Sequence, residues 1–306
     1  MPEIWGNRHF MEQGIDQKEH RRASLALVLT TVLWGLGFIA VQRSIQAGIP
    51  SLWILAARFL CASVLIFGIF HRKILGATKQ ALIHGSIAGV MLFFGFLLQT
   101  EGQGRTTVAS TAFLTSTNVL MVPFFVWLMM GRRPRASMFL LCLVTMVGVV
   151  LISMEDSLEV QMNLGDWMVL LSAMMFAMHI AYLDFGCSRD DPVQTAFFQM
   201  LVCGLISLLL ALLRGEQITG DALRAGVWPV LYLGIFSSGV CYLLQTWGQT
   251  RVSAPEAGIL LCLEGVFGSL FSWLFGMEQF RWTAGLGGLL VTASVMLSQR
   301  PEKKSE

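Results

Sequence analysis

Apolar residues gather along this chain in long runs separated by short polar stretches. A helix needs roughly 20 mostly apolar residues to cross a bilayer. Ten runs meet that length: 23–43, 50–70, 82–99, 107–130, 136–154, 164–185, 192–213, 226–246, 252–275 and 281–299. Those at 107–130, 192–213 and 252–275 contain polar residues, which neighbouring helices can shelter in a bundle interior. The pattern predicts an all-α integral membrane protein with ten transmembrane helices.

Composition sharpens that expectation. The 306 residues are 55% hydrophobic and 13% charged, against about 25% charged in a soluble domain. Too few charges exist to cover a water-facing surface. The net charge of +2 carries no nucleic-acid signature. The longest loop, around 214–227, is too short for an independent core. Residues 1–22 are polar, without the apolar stretch or cleavage site of a secretory signal, and read as a disordered cytosolic tail. Met11 is an alternative start, and residues 300–306 form a second tail. Cys61, Cys142, Cys187, Cys203, Cys241 and Cys262 form no C-x-x-C pair. They read as small buried hydrophobes rather than as a disulfide framework or metal site.

Basic residues set the orientation, because they concentrate on the cytosolic side. With ten spans and the N-terminus inside, that side collects Arg8, Lys18, Arg21, Arg22, Arg72, Lys73, Lys79, Arg132, Arg133, Arg135, Arg189, Arg251, Arg300, Lys303 and Lys304. The other side holds only Arg43, Arg105, Arg214, Arg224 and Arg281. The loop with Glu155, Asp156 and Glu159 falls outside and has no basic residue. A wrong span count would scramble this asymmetry. Both termini are therefore expected in the cytosol, with the chain in the plasma or inner membrane.

Two segments repeat. Leu97–Arg105 reads LLQTEGQGR and Leu243–Arg251 reads LLQTWGQTR, matching at seven of nine positions. Phe113–Gly131 and Gly258–Gly276 align more weakly at nearly the same offset. Residues 23–154 and 164–299 thus read as two copies of a five-helix unit. Five is odd, so tandem copies enter the membrane from opposite sides, giving the inverted repeats of many secondary transporters. Their substrate sites lie near the bilayer midplane between the repeats. Duplication in a membrane protein that does not transport would leave the same signature.

Several motifs, taken in order, resemble the EamA-type branch of the drug/metabolite transporter superfamily. They are LWGLGFIAVQ (Leu33–Gln42), AARFLCA (Ala56–Ala62), LLQT followed by STAFLTSTNVLMVPFF (Ser110–Phe125), FAMHIAYL (Phe176–Leu183) and LEGVFGSLFSWLFGME (Leu263–Glu278). The resemblance covers 23–299. It implies the ten-helix fold, a carrier role, and a cavity lined by spans 1, 3, 4, 6, 8 and 9, which makes Trp34 and Phe38 candidates. Gly265 replaces the usual proline after Glu264 and is expected to straighten that helix. Gly131-Arg132-Arg133 stands where a glutamate usually ends the fourth span. The family's cargo is too diverse to narrow this chain's.

An ionised group at the bilayer centre costs roughly 2.5–3.5 kcal/mol, so polar residues in the spans need partners or a wet cavity. Glu264 shares a helix face with Gly268 and Ser272. It reads either as a cavity carboxylate that binds a cationic or hydroxyl group or takes a proton, or as a structural carboxylate paired with a helix end or Arg58. Arg58 reads as structural, snorkelling outward, or as an anion contact. Thr111, Thr115 and Asn118 form a stripe on the fourth span; they line a substrate path or bond neighbouring helices, and Asn118 is the stronger substrate candidate. Pro123 breaks the backbone ladder there and reads as a hinge. His179, with Tyr182 close behind, is a core donor or a proton relay. Gln99 and Gln245 are the repeat-related pair, suited to a gate, a site or helix-end bonding.

No G-x-x-x-x-G-K-[ST], H-E-x-x-H or G-x-S-x-G occurs, so nothing points to nucleotide-driven pumping, a zinc site or a serine nucleophile. No cofactor and no metal is expected. The sequence reading is a non-enzymatic secondary transporter or facilitator for a small polar or amphipathic metabolite, working by alternating access, with export the expected direction. Expected partners are the small-molecule substrate and membrane lipid, with no nucleic acid, and the chain acts as a monomer or weak dimer. Alternatives are an intramembrane enzyme using Glu264 or His179 on a lipid-borne substrate, and a non-transporting membrane interaction protein.

Overall fold

The structure is a computed structural model that describes residues 17–131, 133, 136–153, 162–277, 279 and 282–298. Met11 and most of both tails, the acidic loop with Glu155, Asp156 and Glu159, Glu278, and the basic residues Arg8, Arg132, Arg135, Arg281, Arg300, Lys303 and Lys304 lie outside the described residues.

Ten helices follow one another: α1 (Gln17–Gln46), α2 (Ser51–Leu75), α3 (Lys79–Gln103), α4 (Val108–Met130), α5 (Ala136–Ser153), α6 (Leu164–Phe185), α7 (Pro192–Leu213), α8 (Gly220–Gln249), α9 (Ala254–Leu274) and α10 (Trp282–Ser298). No strand occurs among the described residues. Eight of these helices are long and apolar enough to cross a membrane, and α5 and α10, of 18 and 17 residues, pack on each other. Helix α1 starts at Gln17, earlier than the expected 23, so the end of the polar tail is helical rather than disordered.

Local chemistry sets most helix starts. Thr78, Thr107 and Thr219 each accept the backbone N–H three residues on, and Asn163 forms a capping box with Asp166. Asp191 caps α7, with Pro192 in its first turn.

Both α4 and α9 are broken in the middle. At Thr117 and Cys262 the backbone tightens into one narrow turn, with nearly identical dihedrals (φ −63°, ψ −14° and φ −65°, ψ −13°). Both helices then end on a left-handed glycine, Gly131 and Gly276, each with φ +67°. Helix α8 departs differently: Leu233–Val240 forms a π-helix just after Pro229, which has no N–H to donate.

Packing exchanges partners between the halves. Helix α3 lies on α6 and α7, and its counterpart α8 lies on α1 and α2. Likewise α4 meets α6 and α9 meets α1. Equivalent glycines make these approaches. A side chain at Gly102 would meet the Gly165 carbonyl at 2.7 Å, and one at Gly248 would meet Leu27 at 3.0 Å. Matched hydrogen bonds follow. Gln103 Nε2 donates to the Phe38 carbonyl at 2.8 Å, and Gln249 Nε2 to the Ile180 carbonyl at 3.0 Å. The fold is thus two inverted five-helix repeats.

Outside, the bundle is oily. Val64, Leu75, Leu128, Leu213, Trp228 and Leu289 are all strongly exposed. In water such a surface would aggregate; against lipid it is the expected lining.

The close approach of α3 to α6 is testable. Gly102→Val should cost about 1–3 kcal/mol by overpacking and lower the melting temperature in detergent. Gly68, with open space around it, should tolerate Ala without loss.

Candidate functional site

The helix irregularities surround a central cavity. It is lined from α1, α2, α3, α4, α6, α8 and α9, and its volume is about 40 Å³. The space is narrow, fitting a few waters rather than a bulky solute. Trp34, Phe38, Arg58, Gln99, Thr115, Asn118, His179, Gln245 and Glu264 all line it. Tyr182 does not; it packs near the helix end with Ala88, Leu183 and Cys187. Pro123 also lies off the cavity. It gives no N–H to the Val119 carbonyl, which instead accepts from the Cys142 thiol at 3.4 Å.

Arg58 stands on α2, only 2% exposed. It does not snorkel to the interface. Its Nε donates to Ser238 Oγ at 2.9 Å and an Nη donates to Ser237 Oγ at 3.0 Å. The guanidinium lies 4.5 Å from the Phe96 ring centroid and 5.0 Å from that of Phe59, a cation–π cradle. No carboxylate among the described residues pairs with it. Both serines belong to the π-helix, whose wider turns also free the Ser237 carbonyl to accept Trp34 Nε1 at 2.8 Å.

Glu264 sits opposite in kind. It is buried, in the first turn of the second half of α9, where the helix dipole favours a negative group. It makes no ion pair with Arg58 among the described residues. Helix α9 is not straightened at Gly265; it breaks at Cys262, where Gly265 N–H bonds back to the Cys262 carbonyl at 3.1 Å. Gly265 allows the contact with α4: Ser116 Oγ would lie 2.5 Å from a side chain there, and Ser116 donates to the Cys262 carbonyl at 3.2 Å. The two broken helices therefore cross at their breaks.

The amides complete the wall. Gln99 Nε2 donates to Thr115 Oγ1 at 3.0 Å, and Gln245 Nε2 to Gln249 Oε1 at 3.0 Å. The Gln245 Oε1 and Asn118 Oδ1 atoms are buried acceptors without a donor. Thr111 turns back to the Thr107 carbonyl at 2.8 Å and stays off the cavity. His179 Nε2 lies 2.9 Å from Gln199 Oε1, a partner from α7 that the sequence did not suggest.

Sequence reasoning missed Ser237, Ser238, Phe96, Phe176 and Tyr242. Tyr242 lies tilted against Trp34 with ring centroids 5.5 Å apart, and edge-on to Phe96 at 6.2 Å. A signal existed for two of them: Phe96 and Tyr242 precede the repeated LLQT segments at equal distance.

Comparison with known proteins places the chain. The profile of the EamA-like transporter family matches twice, over residues 21–154 and 163–299. An uncharacterized transporter of Archaeoglobus fulgidus is 25% identical, covering 90% of this chain and 85% of its own. The biotin transporter of Escherichia coli (strain K12) is 23% identical over 90% of this chain and 92% of its own. A solved crystal structure, 17% identical, superposes with a TM-score of 0.73 over 91% of this chain and 96% of that one, which supports the fold. With the family profile spanning both halves, this chain belongs to the EamA-like transporter family and is an integral membrane transporter.

Proposed function

We propose that this transporter moves a small polar or amphipathic metabolite outward across the plasma or inner membrane by alternating access around the central cavity, with both termini in the cytosol. One observation carries the reading. The cavity lies between the two inverted halves, and its walls hold a buried cation, Arg58, and a buried carboxyl, Glu264, that do not neutralise each other. Such groups are costly in a membrane unless something else engages them. The narrowness of the space fits a state between the two openings, and the breaks in α4 and α9 are points where the half-helices can pivot.

In this reading Trp34, Phe38, Gln99, Thr115, Asn118, His179, Gln245 and Glu264 contact the substrate, Arg58 holds an anionic or polar end, and Glu264 exchanges a proton as the cavity changes sides. Tyr182 and Pro123 act, if at all, through helix packing. An enzymatic reading finds less support, because His179 is already engaged by Gln199.

Screening purified protein by thermal shift against amino acids, sugars, nucleosides, organic cations and biotin should identify a stabilising ligand, since binding to the folded state raises the melting temperature. No stabilisation and no flux across that panel would sink the proposal. For an identified substrate, liposome flux should respond to a pH gradient, and Glu264→Gln should remove that response; a fully pH-driven variant would clear Glu264 of the coupling role. Arg58→Lys keeps the charge but not the two-pronged grip on Ser237 and Ser238. It should lower transport about tenfold or more, equivalent to at least ~1.4 kcal/mol, measured as initial flux with the melting temperature as a check on folding.

A further inference from the structure

Ion pairs between the two halves gather at one face of the bundle, where α1 begins. There His84 Nδ1 lies 2.8 Å from Asp190 Oδ2, and Lys73 Nζ lies 3.0 Å from Asp191 Oδ2. His20 Nε2 lies 3.3 Å from Glu256 Oε2, and Arg251 Nε lies 3.2 Å from Glu19 Oε2. Two pairs join the first repeat to the second, and two join the N-terminal end of α1, just before the first repeat, to the second. At the opposite face the described ion pairs, Arg105–Glu101 and Arg214–Glu216, are both 3.8 Å long and stay within one half. The halves meet there through hydrogen bonds instead, from Thr106 to Asp166 at 2.6 Å and from Trp53 Nε1 to the Glu216 carbonyl at 2.9 Å.

We propose that His20 with Glu256 forms a proton-binding site, apart from the central cavity, that helps clamp the halves together at this face and loosens as the pH on that side rises. The proposal rests on the alternating-access reading, in which this face must part to open the cavity. A rocking motion stretches contacts between halves and spares those within one, so only the first kind can latch the mouth.

The groups facing each histidine set the sign. His84 on α3 faces Asp190; Asp191 with Lys73 stands beside it, and Tyr182 and Cys187 of the same corner feel the Asp190 charge. His20 on α1 faces Glu256 at the start of α9, next to the Glu19–Arg251 pair, and Lys18 has its own partner. The hydrogen bond to Glu256 raises the His20 pKa above its ordinary 6.5, against the opposing effect of burial. Its contribution is therefore complete below pH 6.5 and lost as pH climbs through the raised value. Burial works against the Asp191 charge, but the hydrogen bonds from Lys73 and the Val193 N–H hold its pKa below the usual carboxylate value. The Lys73–Asp191 pair thus persists across the range in which His20 changes charge, leaving His20 as the variable element.

The test needs no substrate. Ile180 lines the cavity, so an Ile180→Cys protein in oriented liposomes can be exposed to a membrane-impermeant maleimide from the α1 face, with labelling at residue 180 read by mass spectrometry. Each rate is compared, at equal pH, with that of the same protein carrying His20→Gln, which cancels the intrinsic reactivity of the thiol. At pH 5.5 the glutamine variant should label about three- to tenfold faster than the parent. At pH 8 the two rates should converge. Arg105→Gln with Arg214→Gln, at the other face, should change neither rate. A second variant, Glu256→Gln, removes the partner instead and should reproduce the acid-side acceleration, so one misfolded variant does not end the test. A ratio near one at both pH values in the folded variants overturns the clamp while leaving alternating access intact. A cysteine that reacts from neither face at any pH overturns both.

Discussion

Within hydrocarbon no water is present to bond a free N–H or C=O, so every backbone group must find a partner inside the protein. That constraint makes this chain helical, and it also decides where the helices are allowed to fail. Three interruptions occur: the tight turns at Thr117 and Cys262, and the π-helix at Leu233–Val240. All three border the central cavity or the crossing beside it. Side chains reach backbone carbonyls at two of them. Ser116 serves Cys262, and Trp34 serves Ser237. The irregular backbone is therefore also what supplies the site with orientable polar groups.

Electrostatics follows from the same scarcity of water. Arg58 is held by two hydroxyls and two aromatic faces, none of which cancels its charge. Glu264 is held by little beyond the start of a half-helix. An arginine locked to a carboxylate would be a strut. An arginine cradled by neutral groups keeps its charge available to whatever enters.

Much of the fold was legible in the sequence because hydropathy and membrane thickness act on whole runs of residues. The repeat was legible because LLQT-x-GQ-x-R preserves Gln99 with Gln245, which both line the cavity, and Gln103 with Gln249, whose side chains make equivalent contacts across the bundle. The breaks were not. Neither Thr117 nor Cys262 is a proline or glycine, and the local residues are as fit for a continuous helix as for a tight turn. Pro123 drew attention instead, yet the Cys142 thiol answers the carbonyl it orphans. Gly265 looked like a straightener because its proline was missing; its small size turned out to serve the contact with α4. Tyr182 sits one turn beyond His179, close enough in sequence to share a face but too near the helix end to reach the cavity. Tyr242, paired with Phe96 by the repeat, takes an aromatic place there.

The length of α8 has a consequence of its own. It holds 30 residues where its counterpart α3 holds 25, although both begin on a threonine cap and both close on the same glutamine-bearing segment. At 3.6 residues per turn, a surplus of five would swing everything downstream by roughly 0.4 of a turn. Gln245 and Gln249 would then face away from the positions that Gln99 and Gln103 occupy. The π-helix, with its wider turns, absorbs the excess. The ends of the two helices thereby keep the same register while their middles differ. What differs is the stretch that grips Arg58, so the two halves match at their helix ends and are unlike at the wall of the central cavity.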